Sequence, residues 1–145
     1  SYVNNRYNFD SLTVNSFPNN IDIRHSVSLA TTFENKGFKI SSGLNWHSGK
    51  PTTKPVAGNE IVADEINYQL VNSSRLDDYL RIDISAQYEF KLGNKLKAQF
   101  GLSIWNLLNN KNTTNSYYRL ANGEVEQVDQ TSLQSTPNAS LRVIF

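Results

Sequence analysis

The chain has 145 residues, a net charge of +1 and 19% charged residues, so it lacks the broad positive field that a nucleic-acid partner requires. Cysteine is absent, which excludes disulfides, thiolate metal sites and cysteine nucleophiles. No run approaches the roughly 18 consecutive apolar residues of a membrane-spanning helix; a mean hydropathy of -0.50 still leaves a membrane strand open, because alternation hides its apolar residues from any average.

The chain opens on Ser1, without a start methionine or a signal peptide, and is expected to be a piece of something longer. Residues 1–20, rich in Asn and Tyr and containing Phe17-Pro18, read as the tail of a loop. A first strand is predicted over 21–34, where Ile21, Ile23, Val27, Leu29 and Phe33 alternate with Asp22, Arg24, Ser26, Ser28 and Glu34. Asn35-Lys36-Gly37 then makes a tight turn into a second strand over 38–48, with Phe38, Ile40, Leu44 and Trp46 on one face and Lys39, Ser41, Gly43, Asn45 and His47 on the other. His25, Thr31 and Ser42 dilute the apolar side.

A long polar loop follows, Ser48 to Asp78. The third strand, 78–91, has the strongest pattern: Leu80, Ile82, Ile84, Ala86, Tyr88 and Phe90 face one way and Arg81, Asp83, Ser85, Gln87, Glu89 and Lys91 the other. A turn centred on Gly93-Asn94 leads to a fourth strand, 95–108, in which Leu96, Ala98, Phe100, Leu102 and Ile104 alternate with Lys97, Gln99, Gly101 and Ser103 until Trp105 and Leu107 break the order. A second long loop, Asn109 to Thr136, contains Ala121-Asn122-Gly123 between Tyr117–Leu120 and Glu124–Val128, which predicts a β-ribbon. The fifth strand, 137–145, alternates Ala139, Leu141, Val143 and Phe145 with Asn138, Ser140, Arg142 and Ile144.

Short turns alternating with long polar loops are the connectivity of an antiparallel transmembrane β-barrel, with short periplasmic turns and long extracellular loops. The fold class expected is therefore all-β: about five strands of such a barrel in an up-and-down meander, forming an open curved sheet when taken alone. Aromatic residues fall into two bands, with Phe33, Phe38, Tyr88, Phe90 and Phe145 near the tight-turn end and Trp46 and Tyr79 toward the loop end. Such bands resemble interfacial girdles. A soluble β-sheet binding module also alternates, but its apolar face would be a packed core in which aromatic side chains show no such sorting.

Four segments, FPNNIDIRHSVSL (17–29), WHSGKPTT (46–53), RLDDYLRIDISAQYEF (75–90) and SIWNLLNNKN (103–112), together with the closing SLRVIF, resemble the C-terminal barrel of TonB-dependent outer-membrane receptors of Bacteroidetes type. Asp77-Asp78 and Leu107-Leu108 stand where that family commonly has Pro-Asp and Leu-Phe. The resemblance implies residence in the outer membrane of a Gram-negative bacterium, a barrel of about twenty-two strands with a plugged lumen, and import of a scarce nutrient such as a siderophore, glycan, peptide or vitamin. It implies as partners outer-membrane lipid, the barrel assembly machinery and TonB, the last through a plug domain not contained in these residues; a surface lipoprotein lid is left open. Phe145, with Val143 and Leu141 behind it, resembles the signal read by that assembly machinery. Another outer-membrane barrel, a porin or adhesin, is the alternative.

No nucleophile elbow, phosphate loop or paired-carboxylate arrangement is present, so no catalytic residue and no cofactor is assigned. His25 and His47 lie on opposite faces by the alternation, which argues against a shared metal site. Glu60, Asp64, Glu65, Asp77 and Asp78 have no calcium-loop spacing and read as a solvated loop. Asn72-Ser73-Ser74 and Asn112-Thr113-Thr114 match a glycosylation sequon by chance in an Asn-rich sequence. Arg81, Asp83, Gln87 and Glu89 are expected to face a wet lumen, in interstrand ion pairs and plug contacts. Tyr68, Tyr117, Tyr118 and Arg119, in the long loops, are the candidate ligand contacts.

Overall fold

The computed structural model describes residues 1–9, 16–93 and 96–145. In chain order its strands are β1 (Arg6–Asn8), β2 (Ser16–Pro18), β3 (Ser26–Asn35), β4 (Phe38–His47), β5 (Pro51–Thr52), β6 (Ile61–Val62), β7 (Glu65–Ile66), β8 (Ser74–Arg75), β9 (Tyr79–Lys91), β10 (Lys97–Trp105), β11 (Thr113–Ala121), β12 (Glu124–Thr131) and β13 (Thr136–Ile144). The chain is all-β and antiparallel. It divides into two units, one of residues 27–46, 80–111 and 133–145, the other of residues 1–26, 47–79 and 112–132.

The first unit is built on one five-stranded sheet in the order β13-β10-β9-β4-β3. It is open, with β3 and β13 as its edges. Period-two alternation fixes its register, because a slip of one residue would turn every apolar side chain to the polar face. Phe100 lies opposite both Tyr88 and Leu141, Leu102 opposite Ala86 and Ala139, and Ala98 opposite Phe90 and Val143, so the apolar residues of three strands share one face. Phe38 joins them, its ring 5.9 Å from that of Tyr88. The β3–β4 turn is a two-residue hairpin in which Lys36 (φ 47) and Gly37 (φ 83) are both left-handed, the geometry that continues the right-handed twist of its strands. Gly93 has φ 98 in the β9–β10 connection, and Asn94 and Lys95, predicted as turn and strand start, lie outside the described residues.

Two expectations are corrected here. The strand predicted from residue 21 begins at Ser26, because Asn20 and Ile21 form a turn, in which the Asp22 N–H donates to the Asn19 carbonyl and the Ile23 N–H to the Ile21 carbonyl, and Asp22 is buried against Asn5 and Arg75. The strand predicted through 108 stops at Trp105, where Asn106 takes a left-handed φ of 52 and its side chain ties off the strand end. Trp105 stays in register opposite Thr136 on the polar face, so the alternation is broken there as the sequence shows, while the pairing continues through it.

That knot is made by Asn106, only 1% exposed. Its Nδ2 donates to the carbonyls of Asn110 (2.9 Å) and Leu133 (3.1 Å), its Oδ1 accepts the Asn110 N–H, and its own N–H reaches Asp83 Oδ1 at 2.9 Å. Asn110 Nδ2 donates to the Leu80 carbonyl and Asn109 Oδ1 accepts the Ser135 N–H. These side chains satisfy the backbone groups that a strand end leaves unpaired.

The second unit is assembled from short pairs: β1 with β2, β5 with β8, β6 with β7, and the ribbon of β11 with β12. The ribbon runs from Thr113↔Thr131 to Ala121↔Glu124 and turns at Asn122 (φ 54) and Gly123 (φ 82), as its Asn-Gly predicts. The long segment 48–78, predicted as a loop, is pinned by β5–β8 and by the small β6–β7 hairpin.

Among the described residues Ala98 and Pro51 are the buried apolar side chains; the other buried side chains are Asp22, Thr52, Asn72, Asn106 and Asn112, all polar. The described residues form no hydrophobic core of the usual kind, and large apolar residues including Leu29, Phe33, Phe100, Leu102 and Leu141 stand exposed on the sheet.

Candidate functional site

The second unit is held by polar side chains that stitch distant segments together. Asp22 accepts the Asn5 N–H at 2.7 Å and Arg75 Nη2 at 2.5 Å, with Arg24 at 3.8 Å. The other terminal nitrogen of Arg75, Nη1, donates to the carbonyls of Asp22 (2.7 Å) and Gly49 (2.9 Å). The Asn5 N–H, more than any other group, holds the Asp22 carboxyl below its ordinary range; Arg75 and Arg24 act in the same direction and burial opposes them. A depressed carboxylate stabilises the fold above its unfolded pKa, and that stabilisation is lost as pH falls through the folded value. Loosening of this unit is therefore expected on acidification below about pH 4, read as lower protection of the Asn5 amide relative to the intrinsic exchange rate at each pH; protection unchanged at about pH 3 would show that the pair contributes nothing.

The same network builds a wall. Asn72, in the left-handed region at φ 55, donates through Nδ2 to the Pro18 carbonyl and to Asn20 Oδ1, each at 2.7 Å, and its N–H reaches Thr53 Oγ1. β5 and β8 pair Pro51 with Arg75 and Thr52 with Ser74, and the Leu76 N–H continues the pairing to the Lys50 carbonyl. At Gly49 a Cβ would sit 1.7 Å from the Leu76 carbonyl oxygen. Gly49→Ala is expected to force the two segments apart at a cost of about 2 kcal/mol, measured as earlier proteolytic cleavage within residues 47–79; an unchanged digestion pattern would contradict this close approach.

Against this wall lies an open groove of about 400 Å³, bordered by Tyr68, Tyr117 and Tyr118 together with Asn20, Thr52 and Asn72. The Tyr68 and Tyr118 rings meet edge-on, their centroids 6.3 Å apart and their planes 69° apart. Tyr118 hydroxyl donates to Gln127 Oε1 at 3.3 Å. Burial pushes its pKa up; the Ser116 hydroxyl opposes this and Asp129 and Tyr68 add to it, so the group is a neutral donor at physiological pH. Three of the four predicted ligand contacts thus converge. Arg119 does not join them: its guanidinium is spent on Glu126 across the ribbon, at 2.8 and 3.0 Å.

On the sheet, the predicted polar-face residues pair mainly with one another. Glu89 meets Lys97 at 2.8 Å, Gln87 meets Gln99 at 3.2 Å, and Arg81 meets Asp83 at 2.7 Å along its own strand. Arg81 also lies over the Trp105 ring, 5.4 Å from its centroid, a cation–π contact that accounts for an aromatic residue on this face. Leu141 and Val143 stand exposed on the edge strand β13, followed by the exposed Phe145. His25 packs on Tyr2 and His47 stacks on Tyr79 at 4.8 Å. The acidic residues are spread out: Glu60 accepts the Gly58 N–H, Asp78 accepts the Gly49 N–H, and Asp77 borders a separate small cavity of about 70 Å³.

The residues that shape the groove from behind, Asp22, Asn72 and Arg75, were not among the sequence candidates. Asp22 and Arg75 lie 53 positions apart, and Asn72 reads as part of a chance sequon, so nothing local signals them. Comparison of the chain with protein-family models, curated proteins and solved structures yields no match.

Proposed function

We propose that the chain is a segment of the barrel of a TonB-dependent outer-membrane receptor, which imports a scarce nutrient across the outer membrane of a Gram-negative bacterium and carries no catalytic activity of its own. The observation that supports this best is the sheet. Its apolar face is continuous across β9, β10 and β13 and stands exposed or half-exposed everywhere except at Ala98. A soluble domain rarely leaves such a patch uncovered. Lipid tails are the covering that fits: strands of 9 and 10 residues match the about 9–11 that a tilted strand needs to cross a bilayer and the 13 of β9 exceed it, whereas soluble strands are commonly about 5–6.

On this reading the polar face, with its Glu89–Lys97 and Arg81–Asp83 pairs, turns toward a wet lumen or a plug. The β3–β4 turn and the β9–β10 connection face the periplasm, and the two long connections face outside. The partners are outer-membrane lipid, the barrel assembly machinery and TonB acting through a plug domain. Open edges at β3 and β13 accord with a sheet completed by further strands, since bare edges invite aggregation. A porin or adhesin would share all of this except the plug and the dependence on TonB.

The test is fractionation of cells that carry the full-length protein. Recovery in the outer membrane, with a band that migrates faster unboiled than boiled and an uptake phenotype that requires TonB, is the expected result. A soluble protein without heat-dependent mobility would overturn the barrel reading, and a membrane barrel indifferent to TonB would replace the receptor by a porin or adhesin.

A further inference from the structure

Resting on that receptor reading, we propose that the groove beside the ribbon binds a neutral, polyhydroxylated ligand, a short oligosaccharide, and that Tyr68 and Tyr118 form its stacking platform. Its size of about 400 Å³ lies within the range of small-molecule sites, about 300–1,000 Å³. The two ring planes, 69° apart at 6.3 Å, make a corner in which one ring can take the apolar C–H face of a pyranose while the other closes on its edge. A flat aromatic ligand would instead be served by parallel faces.

The remaining lining separates a sugar from other cargo. Amides and hydroxyls dominate it: Asn20, Thr52, Asn72, Asn115 and Ser116. Among the described residues, those lining the groove carry no carboxylate, and Lys50 is the one cationic side chain. An anionic chelate needs a cluster of cations, and the nearby Arg75 is already committed to Asp22 and two carbonyls. Nor does the lining suit an apolar ligand, since Ile21, Pro51 and Leu76 are its aliphatic members. Both Nδ2 hydrogens of Asn72 are used on Pro18 and Asn20, so these two amide side chains are held in place before a ligand arrives.

The full-length protein in detergent is tested by calorimetry and on an array of neutral malto-, xylo-, manno- and gluco-oligosaccharides, beside uronic-acid and sulfated oligosaccharides and ferric citrate. Binding of at least one neutral oligosaccharide is expected, about tenfold weaker in Tyr118→Ala and in Tyr68→Ala and within about threefold of the parent in Tyr118→Phe and Arg119→Ala. Heat-modifiable mobility of each variant establishes that the barrel is intact. An intact barrel that binds only the anionic compounds, binds none of the panel, or binds a neutral sugar equally well without either tyrosine overturns the sugar site while leaving the receptor reading standing. Loss of heat-modifiable mobility in the parent itself would instead count against the receptor.

Discussion

On the proposed barrel reading, Leu102→Arg is expected to cost the assembled protein about 2–4 kcal/mol, the depth-dependent penalty for a cation on a lipid-facing strand position. Leu102 lies near the middle of β10 and pairs with Ala86 on one side and Ala139 on the other, both small, so an arginine there meets no polar group across either strand. The neighbouring Ser103→Arg should stay within about 0.5 kcal/mol, because Ser103 faces Ser85 and Asn138 on the polar side. Urea titration of the heat-modifiable form in detergent or lipid measures both. Equal tolerance of arginine at 102 and 103 would mean that the apolar face meets water or a polar partner.

The second large effect belongs to Arg75. Arg75→Ala leaves the 1%-exposed Asp22 carboxylate without its principal cation and frees the carbonyls of Asp22 and Gly49. Breaking a buried pair in this one-sided way costs about 3–5 kcal/mol, and the lower end applies because 27% of the Arg75 side chain is still in water. The loss should be local: amides of residues 1–26 and 47–79 exchange faster and proteolysis begins there, while the five-stranded sheet keeps its protection. Asp22→Asn, which keeps the shape and one acceptor, should cost less. Protection in 1–26 unchanged by Arg75→Ala would show that the segments are held by something other than this pair.

The sheet was legible in the sequence wherever one face repeats without interruption. β9 carries six apolar residues at period two, and its observed bounds, Tyr79–Lys91, differ from the predicted 78–91 by one residue. The hairpin at Lys36-Gly37 and the ribbon turn at Asn122-Gly123 were legible because their residues accept a positive φ. Local alternation failed where a long-range contact outbids it. Ile21-Asp22-Ile23-Arg24 reads as strand, yet Asp22 is drawn inward by Asn5 and by Arg75, and β3 waits until Ser26.

The groove was half legible. Tyr68, Tyr117 and Tyr118 stand out as aromatic residues in polar loops, but the pairing of β5 with β8 that builds the wall depends on two residues per strand, too few to leave a pattern. Arg119 was expected beside them because cations often anchor ligands, and the register of the ribbon set Glu126 directly opposite it instead. Trp105 looked like a break in β10 because only Arg81, on the neighbouring strand, explains an indole on the polar face.

The central claim, that one face of this sheet meets lipid, is tested most directly by a label carried along β9. The chain has no cysteine, so single cysteines introduced in turn at residues 82 to 89 give unique attachment points for a spin label in the reconstituted full-length protein, with any cysteine elsewhere in it replaced. Lipid-dissolved oxygen should relax the label most at 82, 84, 86 and 88, and a water-soluble nickel chelate should relax it most at 83, 85, 87 and 89, in strict alternation. Access to nickel at every position, or to neither reagent at the even ones, would contradict a lipid-facing sheet.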